Sequence, residues 1–204
     1  MNTTLDLVQL MEMEQRKRAQ FINSISGFRS VALIGTIDTN GQTNLAIFSS
    51  IVHIGSNPPL LSFIMRPDSV ERHTLTNIME TGFYTINHIN AGIYEKAHQT
   101  SARYPKNVSE FDATGLTPVF KNDFVAPFVA ESNIQIGMEF KERINISINQ
   151  TSMIIGEIKF VHYPDNCLLD DGFVDIEKAG TITSSGVDSY HTTQLLQKLE
   201  YAKP

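Results

Sequence analysis

The sequence predicts a mainly β protein with attached helices, an α+β chain built on an antiparallel barrel or sandwich. Three observations predict it. Ile134, Ile136, Met138, Phe140, Ile144, Ile146 and Ile148 alternate with mostly polar neighbours, the period of a strand with one buried face. Asn40-Gly41 separates two apolar runs, a strong hairpin signal. Few helical patterns interrupt the apolar runs between Val31 and Val161, which excludes a regular βαβ series.

The elements follow in order. The opening stretch, about residues 1–26, reads as helix, with Leu7, Leu10 and Met11 at helical spacing and Phe21, Ile22 and Ile25 repeating it. Glu12 to Gln20 between them is charged and expected at the surface. Val31, Leu33 and Ile34 lead to the hairpin turn, and a return strand is expected from Thr43 to Ile54, ended by Pro58-Pro59. Leu60 to Met65 reads as a buried strand. A helix is predicted over Thr74 to Glu80, with Leu75, Ile78 and Met79 inward and Gly82 as its C-terminal cap. Phe83 to Ile89 is another strand, and Asn90 is expected to cap a helix containing Tyr94 and Ala97. Residues 101–129 hold Pro105, Gly115, Pro118 and Pro127 and read as irregular; loops that long are usually functional or face a partner. The long alternating strand turns near Asn149-Gln150 into Met153 to Val161. Together they read as one domain over residues 1–204.

Composition bounds the function. Hydrophobic residues make up 41% and charged residues 19%, enough apolar material for a core and too little charge for a disordered chain. The formal net charge of -6 argues against general nucleic-acid or membrane-surface binding, so an anionic ligand would need a local cluster of donors. A single cysteine, Cys167, rules out an internal disulfide and any Cys-x-x-Cys site. The amino terminus lacks a signal-peptide pattern, and no run approaches the ~18 apolar residues of a membrane span. A soluble, cytoplasmic protein is expected.

Familiar catalytic signatures are absent: no Gly-x-Gly-x-x-Gly, no phosphate loop, no His-Glu-x-x-His and no Gly-x-Ser-x-Gly. Polar segments remain. Thr43 to Ser50 carries amide and hydroxyl groups and small residues in a strand that should be apolar; it suits a ligand, and it also suits a strand with a polar outer face. Arg66 to Thr74 gathers Arg66, Arg72, His73 and Thr74 ahead of a helix. A helix start offers free N–H groups, and guanidinium adds charge-assisted bonds, a combination that suits phosphate. The same residues describe a solvated loop with Thr74 as a plain N-cap. Ser101 and Tyr104, and Tyr190 with His191, are weaker candidates, each also readable as an ordinary loop or a satisfied histidine. The remaining histidines show no metal-ligand spacing, and His98 and Cys167 read as structural.

In order and spacing these segments resemble the flavin-reductase-like family of FMN-binding split β-barrels. The match runs through Arg16 to Gly27, Asn44 to Ser50, His53 to Leu61, Arg66-Pro67, Arg72-His73-Thr74, Asn77-Ile78 and Ile86-Asn87. It continues in Thr100-Ser101-Ala102, Val108-Ser109-Glu110-Phe111, Gly115 to Pro118, Ala126-Pro127 and Gly156-Glu157-Ile158. The resemblance covers most of the chain and implies a homodimer with FMN near the subunit interface. It places Asn44, Ala46, Phe48, Ser49 and Ser50 along the flavin and Arg66, Arg72, His73 and Thr74 at its phosphate. It puts Ser101 near the flavin, and Tyr104, Tyr190 and His191 where a substrate approaches. Many relatives carry an acidic residue where this chain has His73. The implied activity is passage of electrons from NADH or NADPH through FMN to free flavin or another acceptor, with a partner oxygenase receiving reduced flavin as one outcome. A non-catalytic FMN carrier or redox sensor, a split-barrel oxidase, and a cofactor-free binding dimer stay open beside it.

Overall fold

The protein is described from a computed structural model covering residues 2–67 and 69–203; Asp68, inside the predicted Arg66–Thr74 segment, lies outside the described residues. Its helices are α1 (Leu7–Glu12), α2 (Gln15–Ile25), α3 (His73–Thr81), α4 (Tyr94–Gln99) and α5 (Glu110–Thr114). Its strands are β1 (Arg29–Ser30), β2 (Ala32–Ile37), β3 (Thr43–Phe48), β4 (Val52–Ser56), β5 (Pro59–Met65) and β6 (Phe83–His88). They continue as β7 (Pro118–Val119), β8 (Phe128–Val129), β9 (Gln135–Ile146), β10 (Thr151–His162), β11 (Thr183–Ser185) and β12 (Ser189–His191).

Seven strands form one antiparallel sheet in the order β3-β2-β6-β9-β10-β5-β4. Its two edge strands are consecutive in the chain, joined only by Ser49, Ser50 and Ile51. Four Cα steps span at most about 15 Å, whereas seven flat strands would separate the edges by about 29 Å. The sheet must therefore curl until its edges meet. Two contacts hold the seam: Ser50 Oγ accepts from the Ile64 backbone N–H at 3.0 Å, and the Phe48 ring packs edge-on against Phe63 with centroids 4.8 Å apart. The result is a mainly β barrel split along one line, with helices attached.

The core has two parts. Inside the curl lie Ile34, Phe63, Tyr84, Ile86, Met138 and Ile154. Outside it, Leu33 and Leu45 pack with Ile89, Ala97 and Phe111 beneath α4 and α5. Strand β2 is thus covered on both faces, which is why its sequence is almost continuously apolar. Among the described residues three close approaches require glycine: a Cβ on Gly35 would run into the Pro127 carbonyl oxygen, one on Gly156 would stand 2.9 Å from Tyr84 Cζ, and one on Gly137 would stand 2.8 Å from Phe160 Cζ.

Several expectations hold. The helix over 73–81 ends at Gly82 with φ 77°, as a left-handed C-cap. The hairpin at Asn40-Gly41 and the β9–β10 pair form as read. Others are corrected. The first helix is two, because the Glu14 carboxylate accepts from Arg16 and Lys17 N–H and starts a new helix there. The return strand divides at residues 49–51, where the chain leaves one sheet edge for the other. Asn90 turns the chain by accepting from Gly92 N–H, and Ile93, not Asn90, occupies the N-cap of α4. Met79, expected inward, is 50% exposed, and Ile148 at the β9–β10 turn is 92% exposed.

A second sheet, in the order β1-β11-β12, joins the two ends of the chain. Arg29 pairs with Ser184 and Ser184 with Tyr190; the next row is Ser30, Thr183 and His191. Strand side chains alternate between faces, so these rows point to opposite sides.

Candidate functional site

One cavity of about 500 Å³ opens beside the seam, a volume within the range of small-molecule and cofactor sites. Strand β3 supplies one wall. Asn44, Ala46 and Phe48 share a face by the strand period, and Ser49 and Ser50 continue the wall where the strand ends. A buried polar network fixes this wall to the start of α3. Asn44 Nδ2 donates to Thr74 Oγ1 at 3.0 Å and to Thr36 Oγ1 at 3.3 Å, and Asn77 Nδ2 donates to Thr36 Oγ1 at 3.1 Å. Thr74 is therefore no N-cap. Its oxygen accepts from Asn44, which leaves its proton to donate toward the cavity.

The start of α3 is the cationic end. Arg72 sits at the N-cap position, and no side chain caps the helix. The first N–H groups of the helix carry no side-chain cap, and they form the positive end of the helix dipole. Arg66, Arg72 and Arg103 all line the cavity here. Burial first, then the charges of Arg66 and Arg103, holds the Arg72 guanidinium below its ordinary value, while a guanidinium stays protonated in any case. Among the described residues none of the three has a carboxylate within ion-pair distance. Glu71, the acidic neighbour, instead contacts Lys106 at 3.7 Å and His73 at 3.9 Å. Three clustered cations make this end of the cavity locally positive in a chain of net charge -6.

The opposite wall comes from the turn after α4 and from the second sheet. Ser101 and Tyr104 line it, with the Tyr104 hydroxyl accepting from Gln99 Nε2 at 3.0 Å. Tyr190 lines it as well, and its hydroxyl bonds His98 Nδ1 at 2.8 Å. Every sequence-predicted site residue except His191 meets at this cavity. His191 falls in the row facing away, where its Nε2 bonds Ser185 Oγ at 2.8 Å and its ring packs edge-on to Phe28.

The sequence reading missed other lining residues. Arg103 lies between Ser101 and Tyr104, and its charge two residues past Ser101 is the available sequence signal. His98, expected to be structural, holds the Tyr190 hydroxyl and also lines the cavity. Glu110 is 6% exposed and accepts from Leu45 N–H at 2.9 Å, which satisfies one donor on the free edge of β3. Burial pushes its carboxyl above the usual range, partly offset by that N–H and by His73. Among the described residues no cluster of three metal-ligating side chains occurs.

Comparison with known proteins bears on the fold and the family. Residues 28–176 match the model of the flavin reductase like domain. A split-barrel protein from Shewanella frigidimarina NCIMB 400, itself a candidate flavin reductase, is 50% identical; the alignment covers 98% of this chain and all of that one, with a TM-score of 0.95. Flavoredoxin of Desulfovibrio vulgaris (Miyazaki F) is 25% identical, with 86% and 92% coverage and a TM-score of 0.74. Nitrilotriacetate monooxygenase component B from Bacillus cereus shares the fold at 22% identity, with 98% and 100% coverage and a TM-score of 0.85. The chain belongs to the flavin reductase like domain family.

Proposed function

We propose that this cavity binds FMN and that the protein is a flavin reductase-like oxidoreductase using NADH or NADPH. The observation that carries the reading is the group of guanidiniums, Arg66, Arg72 and Arg103, at an uncapped helix start beside a small-residue strand wall. That donor set fits a phosphate monoester. Charge-assisted bonds of this kind contribute on the order of 1.5–3 kcal/mol each. The Thr74 hydroxyl and the first N–H groups of α3 add neutral donors.

FMN, when bound, would supply the redox chemistry, accepting hydride from the reduced nicotinamide and releasing electrons to free flavin or another acceptor. The chain's own part is placement. Asn44, Ala46 and the segment Phe48 to Ser50 offer a polar edge and a backbone that small side chains leave accessible. Tyr190 and Tyr104 offer aromatic faces opposite that wall. No side chain need act as acid or base in hydride transfer, and Glu110 is occupied with Leu45 N–H.

We extend the reading to a cytoplasmic homodimer in which each chain is a single domain over residues 1–204. Leu7, Val8 and Met11 on α1 and Ile22 and Ile25 on α2 are all more than 45% exposed, apolar surface that a second copy would cover. Among the described residues no helix is long and apolar enough to cross a membrane. The shared fold with a monooxygenase component B supports an oxygenase that receives reduced flavin.

The deciding experiment is the absorbance spectrum of the protein with FMN, before and after anaerobic NADH or NADPH. A bound-flavin spectrum that bleaches on mixing supports the reductase. A bound flavin that stays oxidised turns the assignment to an electron carrier or oxidase, and no binding rejects the flavin site.

A further inference from the structure

The second sheet presents a charged row to the cavity that the flavin phosphate does not use. Arg29, Ser184 and Tyr190 are register partners across β1, β11 and β12, so their side chains share one face, and all three line the cavity. Directly opposed residues of an antiparallel pair hold their Cβ atoms about 4.5–5.5 Å apart. Arg29 and Ser184 are therefore adjacent, and they are independent of the three arginines at the α3 end.

Arg29 is half-buried, and its bonds are few. One Nη donates to Asn23 Oδ1 at 3.3 Å and the other to the Gly186 carbonyl, while Nε is buried without a partner. Five guanidinium N–H groups are available and two are used. Ser184 is 6% exposed, and its hydroxyl is also buried without a partner. Among the described residues no carboxylate lies within ion-pair distance of Arg29. Asp188, the acidic residue at this end, is held by Gln20 Nε2 at 3.1 Å. A half-buried cation and an orphaned hydroxyl side by side are costly unless something anionic joins them.

We infer that Arg29 and Ser184 form a second anion-binding subsite, which holds a carboxylate or phosphate of the molecule that exchanges electrons with the flavin. The inference rests on the flavin reading above, since that assigns Arg66 and Arg72 to the FMN phosphate and leaves this end to a second ligand. Two sources share the chemistry: the pyrophosphate of a nicotinamide dinucleotide, and the carboxylate of an organic acceptor. Tyr190, in the same row and tied to His98, supplies the flat apolar face beside the charge.

The test uses FMN-loaded protein and the variants Arg29→Gln, Arg29→Lys and Ser184→Ala. FMN affinity is measured first. Anaerobic flavin reduction is then followed against NADH, NADPH and the phosphate-free donor N-benzyl-1,4-dihydronicotinamide. Benzoate is titrated separately against the flavin spectrum. If the dinucleotide is the source, Arg29→Gln raises its half-saturating concentration about tenfold or more. Ser184→Ala raises it less, Arg29→Lys retains part of the binding, and FMN affinity and the phosphate-free donor are unchanged. If an acceptor is the source, dinucleotide saturation is unchanged and the benzoate perturbation of wild type disappears in Arg29→Gln. Either pattern supports the subsite. An Arg29→Gln protein that behaves as wild type in every assay overturns it, as does one whose FMN affinity falls as far as its dinucleotide affinity. A wild type that takes up no FMN overturns the flavin reading as well, so the two failures are distinct.

Discussion

Asn44 donates its side-chain amide to the Thr74 hydroxyl at 3.0 Å, which binds edge strand β3 to the first turn of α3. Replacing Thr74 with Val keeps the shape and removes both the acceptor for Asn44 and the donor toward the cavity. Stability should fall by about 1–2 kcal/mol, and the Kd for FMN should rise roughly 5- to 10-fold. Thr74→Ser should keep most of both. Urea unfolding and flavin fluorescence titration read the two effects separately.

The arginines at the α3 start should act on phosphate alone. The double variant Arg66→Ala/Arg72→Ala should weaken FMN by roughly 100-fold or more, since each charge-assisted bond contributes on the order of 1.5 kcal/mol or more. Riboflavin, which lacks the phosphate, should bind wild type and variant alike. Equal losses for both ligands would take these arginines out of the phosphate site.

His88 gives the fold a pH dependence that does not involve the cavity. Burial depresses its folded pKa to about 4, against about 6.5 unfolded. Above the unfolded value the ring is neutral in both states and the native state carries no penalty. As pH falls through that value the unfolded chain takes up the proton and the native state does not, so stability declines until about pH 4 and then levels. The loss should be about 3 kcal/mol. Denaturant titrations of wild type and His88→Gln across this range should show the decline flattened in the variant.

Tyr84 and Gly156 should be coupled. The Tyr84 ring is fully buried over Gly156, burial raises its pKa above the ordinary tyrosine value, and its hydroxyl has no hydrogen-bond partner. Gly156→Ala should destabilise by about 1–3 kcal/mol through overpacking. Tyr84→Phe should be neutral or stabilising, because it removes an unsatisfied buried group. In the double variant, loss of the Tyr84 hydroxyl opens part of the space an alanine needs, so the two effects should be clearly non-additive in thermal or denaturant unfolding.

Much of this was legible because the strands speak locally. The 134–148 alternation and Gly82 each name their element within a few residues, and the cationic start of α3 lies in one segment, Arg66 to Thr74. What stayed hidden depends on pairing between distant segments. Tyr190 and His191 are adjacent in sequence, and only the register with Ser184 decides which one faces the cavity. Arg29 and Ser184 carry no shared local pattern, since the sheet that joins them uses strands of two and three residues. The break between α1 and α2 was masked because Glu14 is a good helix former that here acts as a cap.

Ser49, Ser50 and Ile51 fasten the two ends of the sheet, and Ser49 and Ser50 also face the cavity. The clasp and the binding wall are one piece of chain. A ligand resting on it favours the fastened state, and a fastened barrel in turn holds the ligand more tightly, by the same factor in each direction. Loading should then slow amide exchange along β3 and β4 more than along central β9. The barrel's weakest line would be the one its cargo draws shut.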